Sequence, residues 1–372
     1  MMPEEINQKQ KAGNNSQLIQ ADVINIGIDE KRAREICDEQ FELARQKFTS
    51  DAYECANIRV EKLATAVFSK INSIENSLSY FADPSFQILL NKAQVSACST
   101  DRVLDYDMLS ELLACRIVKG KTRKINANIS RAVEIVAEID DDALCALTVS
   151  YAINRFIPVS ADVFEGLNVL NDLFAKLLYM ELPSGNKWMD HLDTLGAIRI
   201  SSFGSFKKFR DFYCEILNGY CSVGIQENSE NHQKALQMLK ENNLSTNVLC
   251  PNKLLSGYVL IPVVNKNNIK ELKIYNDIND NGKIVRICRG LTSEEQRTLE
   301  SIWNLYINND PQASKTVKAN FDNYWNTLTS LVEIENWWNA ISSCFEITGV
   351  GSVLAYTNAK RCDKNIPDLP LD

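Results

Sequence analysis

The sequence predicts a mainly α-helical protein with an N-terminal β-strand head and a small α/β insert. Apolar residues recur at helical spacing through most of residues 29–180 and again after Thr292, whereas strand-like alternation is confined to short runs. The composition, 45% hydrophobic and 24% charged, is that of a folded globular chain, and 372 residues exceed one typical core. The expected order is a flexible start and strand head (1–28), a long coiled-coil-like segment (29–80) and a helical domain (81–180). A small α/β domain (181–290) and C-terminal helices with a loose tail (291–372) complete it.

In the head, a Gly13-Asn14-Asn15-Ser16 turn leads through Ile19, Gln20 and Ala21 to Ile24, Ile26 and Ile28, which alternate with Asn25 and Gly27. A helical pattern follows at once, so no adjacent strand can form a hairpin with it. An unpaired strand leaves backbone donors and acceptors open. Pairing with further copies of the chain, or with a distant strand, satisfies them. Asn14, Asn15, Ser16, Ile19, Gln20, Ala21, Ile24 and Ile26 are therefore candidate assembly residues.

Asp29 is a suitable N-cap for a helix to about Phe48, and Thr49, Ser50 and Asp51 suggest a break. Tyr53, Ala56, Val60, Leu63, Val67, Ile71, Ile74 and Leu78 then recur at spacings of three and four. Such a stripe either lies along its own domain's core or forms a seam between copies. Val60, Leu63 and Val67 join the assembly candidates on the second reading.

Asp83-Pro84 opens a further helix, followed by helices over 107–118, 125–139, 143–156 and 162–179. After the Pro183–Asn186 linker, a short helix ending at Gly196 and a strand at 197–200 suggest a winged-helix-like element. Residues 257–264 read as a strand, with Pro262 placing it at an edge. Strands at 272–275 and 283–288 precede helices over 293–308, 313–333 and 335–346.

Forty basic against 48 acidic residues give a net charge of −8, which argues against a global pull toward nucleic acid or anionic membrane. The apolar stretch 341–356 is interrupted by Glu346 and is too short to span a bilayer. Eleven cysteines are scattered without a Cys-x-x-Cys, and no signal-peptide pattern is read, so a reducing cytoplasm is expected.

Several motifs invite a function, and each has a simpler reading. Asp140, Asp141 and Asp142 cannot converge on one ion from consecutive positions, but any of them can cap a helix. Asp277–Gly282 matches half of a calcium loop, yet Cys288 stands where a bidentate Glu is required, and Asn281-Gly282 favours a hairpin turn. Gly349-Val350-Gly351 lacks the third glycine of a dinucleotide loop and reads as a helix stop or tight packing. His191 and His232, the two histidines, have no His or Cys at ligand spacing. The run from Phe203 to Tyr213 is the best nucleic-acid signal, with Lys207, Lys208 and Arg210 as its cations. An amphipathic helix with Phe206, Phe209 and Tyr213 on its buried face explains it as well.

Four stretches together resemble one uncharacterised family of bacterial proteins: Ala12–Ala21, Phe81–Gln87, Ala143–Thr148, and Ile347–Gly351 with Ala355–Asn358. The resemblance covers residues 12–361 and implies architecture and a bacterial origin; it supplies no activity and no catalytic residue. Similar heads precede unrelated bodies, as suits a portable oligomerisation strand, and a phage-defence setting is an expectation from the type of gene. Val23–Ile26 departs from the Gly-Asp or Gly-Arg-Asp of many such heads.

The expected function is that of a cytoplasmic homo-oligomer that recognises a protein partner as a sensor or scaffold, with no catalytic residue, metal or cofactor assigned. The alternatives are nucleic-acid binding through residues 188–213 and an enzyme whose site assembles through space.

Overall fold

The computed structural model describes residues 30–368 apart from 73, 76, 202, 281, 282, 308 and 309. Two compact units divide between Ile58 and Arg59. In the first, the described residues form the beginning of a 42-residue helix, α1 (Glu30–Ile71). The break expected at Thr49–Asp51 does not occur. Thr49 Oγ1 donates to the Arg45 carbonyl at 2.8 Å, the back-bond by which threonine sits inside a helix without disrupting it.

In the second unit, Asp83 caps α2 (Pro84–Cys98) by accepting from Ser85 N at 2.9 Å, as the Asp-Pro pair predicts. Helices α3 (Val103–Lys119), α4 (Arg123–Ile135), α5 (Asp141–Arg155) and α6 (Val163–Leu177) follow. The chain continues through α7 (Lys187–Thr194), β1 (Ile198–Ile200), α8 (Phe209–Ile216), α9 (Asn218–Cys221), β2 (Ile225–Gln226) and α10 (Glu230–Glu241). Next come β3 (Cys250–Pro251), β4 (Tyr258–Leu260), β5 (Lys273–Asp280) and β6 (Lys283–Gly290). Helices α11 (Ser293–Trp303), α12 (Pro311–Trp325) and α13 (Thr329–Ala340), strand β7 (Phe345–Ile347) and helix α14 (Gly349–Cys362) complete it. The protein is mainly helical, and its small sheets are antiparallel. No helix among the described residues is long and apolar enough to cross a membrane.

The strand after Gly196 belongs to no wing. β1 pairs antiparallel with β7, Ile198 opposite Ile347, far along the chain. β4 is shorter than expected and central, between β2 and β3, with Pro262 beyond its end, where a missing N–H costs the ladder nothing. Gly224 turns the chain into this sheet at φ 84°, and a Cβ there would stand 2.3 Å from the Val259 carbonyl oxygen. β5 and β6 form a hairpin in register from Lys273↔Gly290 to Asp280↔Lys283, so residues 277–280 of the half-matched calcium loop are strand, and 281 and 282 lie outside the described residues.

Sequence periodicity does not reveal α14. Eight of its residues, Gly351 and Val353–Ala359, are buried, and it packs on α3, α4 and α5. A helix buried on all sides carries no amphipathic stripe to read. The paired glycines serve packing: a Cβ on Gly351 would stand 2.0 Å from the Ala197 carbonyl oxygen, and one on Gly349 would stand 2.2 Å from Asn128 Nδ2. Thr348 Oγ1 caps the helix by accepting from Gly351 N at 3.1 Å. Residues from both ends of the unit, Leu63 to Ile366, thus share one core, while Ile225 to Tyr306 form a second.

Candidate functional site

The assembly residues Asn14, Asn15, Ser16, Ile19, Gln20, Ala21, Ile24 and Ile26 lie outside the described residues. Those on α1 divide. Leu63 and Val67 are 1% and 4% exposed and belong to the chain's own core, together with Ile71. Buried side chains of this kind are not offered to a second copy, so the intrachain reading of the stripe holds at these positions. Val60 is partly buried. Ile74 and Leu78 fall beyond the end of the helix.

The beginning of α1 differs. Phe41, Phe48 and Tyr53 are 68%, 66% and 71% exposed. With Ala44, Arg45, Thr49, Ala52 and Ala56 they line an open apolar trough of about 570 Å³. Cys37, Phe41, Ala44, Phe48, Ala52 and Cys55 recur at spacings of three and four, which keeps them on one face. Both cysteines are exposed free thiols. Bare helix of this length is marginal in water, where helical stability comes mainly from packing an apolar face. Phe41 and Phe48 escape a reading that breaks the helix at Thr49; their spacing to Ala52 and Ala56 was the available signal.

The basic-aromatic run is built into the second unit. Phe209 and Tyr213 are fully buried against Trp325, with centroids 5.9 and 5.7 Å away, and Phe206 lies 4.4 Å from Trp338. These faces are therefore not free to stack on bases. Arg210, at the start of α8, donates through Nη2 to Asn326 Oδ1 at 2.9 Å and to Glu335 Oε2. Its Nη1 lies 3.2 Å from Asp322 Oδ1, and its guanidinium stands 5.6 Å from the Trp325 ring centroid. Burial opposes the Arg210 charge, but Glu335 and Asp322 together hold its pKa above the ordinary arginine value. Lys207 Nζ pairs with Glu215 at 2.7 Å, and Lys208 stands exposed at the N-cap of α8. The structure thus brings Arg210 into an internal ion-pair cluster and leaves the two lysines on the surface.

The other motifs disperse. Asp141 accepts from Arg102 Nη1 at 2.8 Å, Asp142 Oδ1 accepts from Ala143 N at 2.7 Å, and Asp140 Oδ2 lies 3.9 Å from His191. Each histidine accepts a backbone N–H: His191 Nε2 from Asp140 at 3.3 Å, and His232 Nδ1 from Asn228 at 3.1 Å. Among the described residues, the α1 stripe leaves its large aromatics exposed.

A family model described only as ":-like" matches residues 27–369. The chain belongs to that family. The match begins at residue 27, within the last two residues of the 13–28 head, so membership rests on the body of the chain. No curated protein and no solved structure matches the chain.

Proposed function

We propose that the chain is a homo-oligomeric interaction protein of the bacterial cytoplasm, a sensor or scaffold for a protein partner, whose copies meet along the first part of α1. The observation that carries the reading is the row of exposed aromatics, Phe41, Phe48 and Tyr53, on a helix in water. Its occupant is a second copy. The face alternates large and small residues, and an antiparallel copy sets Phe41 over Ala52 and Phe48 over Ala44. The same alignment brings Cys37 of one copy beside Cys55 of the other.

Covering these aromatics in both copies removes on the order of 700 Å² from water, given their size and exposure. With the alanines and the Arg45 stem, the buried area approaches the roughly 1,000 Å² at which specific interfaces begin. The stripe alone thus supports a weak dimer, and further contacts are assigned to the candidate residues of 13–28, which lie outside the described residues.

A short bis-maleimide applied to the full chain tests the geometry. Intermolecular Cys37–Cys55 linkage, mapped by mass spectrometry, is expected. Absence of any intermolecular product through either cysteine rejects the reading.

A further inference from the structure

Cys214 and Cys221 stand sulfur to sulfur, 3.1 Å apart, with the Cys221 thiol donating to Cys214 Sγ. Cys214 lies in the last turn of α8 and Cys221 ends α9. Both are free thiols and half-buried. A disulfide needs about 2.0 Å between its sulfurs, so closing this pair takes a movement of about 1 Å.

The two sulfurs sit on segments that are anchored separately. On α8, the fully buried rings of Phe209 and Tyr213 hold the helix against Trp325. On α9, Gly219 N donates to the Val264 carbonyl at 2.9 Å, and a Cβ on Gly219 would collide with the Val263 carbonyl oxygen. Lys266 N donates to Asn218 Oδ1 at 3.0 Å. Beyond Cys221, the buried Asn252 donates through Nδ2 to the carbonyls of Ser222 and Val223 at 3.1 and 2.9 Å. Tertiary packing therefore holds the thiols together, and such positioning raises the effective concentration of each at the other.

The pair is also unequal. The hydrogen bond from Cys221 lowers the Cys214 thiol below its ordinary value; Lys318 helps, while burial, Asp322 and Asp211 oppose. The same contact and burial raise the Cys221 thiol. Cys214 is thus the sulfur that carries the anion, and Cys221 the one that keeps its proton. Burial pushes the thiols of Cys115 and Cys145 up to about 12, where the nucleophilic anion is scarce at neutral pH. A low-lying, accessible thiol beside a second cysteine is the arrangement in which peroxide oxidation is selective and reversible.

We propose that Cys214 and Cys221 form a two-electron redox site for hydrogen peroxide, with Cys214 the attacking cysteine and Cys221 the resolving one. The Cys214 thiolate attacks one peroxide oxygen. An S–O bond forms, the O–O bond breaks, and the leaving hydroxide takes up the proton that Cys214 had released, giving water. Cys214 is then a sulfenic acid. The Cys221 sulfur attacks the Cys214 sulfur: the S–S bond forms, the S–O bond breaks, and the departing hydroxide leaves with the Cys221 proton as a second water. Two thiols lose two electrons, and the peroxide gains them.

Treatment of the full chain with hydrogen peroxide, quenched by alkylation of the remaining thiols, tests the site. Cleavage after Glu215 separates the two cysteines unless a disulfide joins them. Peptide mass spectrometry is expected to find the Cys214–Cys221 fragment pair linked, and to lose it after reduction with dithiothreitol. Cys221→Ser keeps a hydroxyl donor toward Cys214 and is expected to accumulate a Cys214 sulfenic acid that dimedone traps. That adduct should exceed the Cys221 adduct of Cys214→Ser by about tenfold. Cysteines 214 and 221 that stay unlinked in the treated parent chain overturn the proposal. Equal dimedone labelling of the two variants overturns the division of roles.

Discussion

Arg210→Ala removes the one guanidinium that joins Asn326, Asp322 and Glu335, and the cost can be worked from what it leaves behind. The Glu335 side chain is 16% exposed and that of Asp322 30%. Glu335 keeps one donor, Trp325 Nε1 at 2.9 Å, but loses its cation. Breaking a fully buried pair costs about 3–5 kcal/mol, because the surviving charge stays desolvated. Partial exposure here admits water and reduces the expected loss to about 2–3 kcal/mol. In a unit of this size that lowers Tm by roughly 3–5 °C. Arg210→Lys recovers only part of it, since an ammonium cannot present the planar fork that reaches three acceptors. Thermal and urea unfolding of the two variants measure the effect. A melting temperature for Arg210→Ala within a degree of the parent's refutes the assignment of Arg210 to the framework. Nucleic-acid binding that disappears on Arg210→Ala without such a loss returns this residue to the surface role its sequence context first suggested.

Glu295 gives a pH dependence. The Arg289 hydrogen bonds, followed by those from Thr292, hold its carboxyl at about 2, below the ordinary glutamate value. Its stabilisation is therefore complete above about pH 4.5 and is lost as pH falls toward 2, about 2 kcal/mol once the partial exposure of Arg289 is allowed for. Acid unfolding of Glu295→Gln is expected to lack that contribution. Leu63→Ala opens a cavity in the chain's own core and should cost about 2–5 kcal/mol at every protein concentration. A loss that appears only where copies associate contradicts the intrachain packing of Leu63 and Val67.

What could be read from the sequence followed local chemistry. Asp83-Pro84 announces the α2 cap, and Asn281-Gly282 between two strand-like runs announces the β5–β6 hairpin, since both signals act within a few residues. The pairing of β1 with β7 depends on partners far apart in the chain, so a helix, a glycine and a strand suggested a local wing that tertiary structure overrides. Helix α14 carries apolar residues on every side, and its glycines are needed for close approach to Ala197 and Asn128, neither of which periodicity records. The α1 stripe was half legible. Val60, Leu63 and Val67 belong to the helix that sequence spacing selects, but two of them face inward, while exposed Phe41 and Phe48 precede an expected break that Thr49 bridges with its own hydroxyl. The meeting of Lys119, Tyr356, Lys360 and Asp368 was invisible for a different reason: the last helix brings them together by packing against α3.

Self-association along α1 is the central claim, and the mass of the full chain in solution tests it most directly. Light scattering across a range of concentrations is expected to give a mass above 42.0 kDa for the parent. Phe41→Glu with Phe48→Glu is expected to lower that mass, with the helical content and melting of the body unchanged. A parent chain that stays monomeric at every concentration, or a variant that associates as tightly as the parent, contradicts the account.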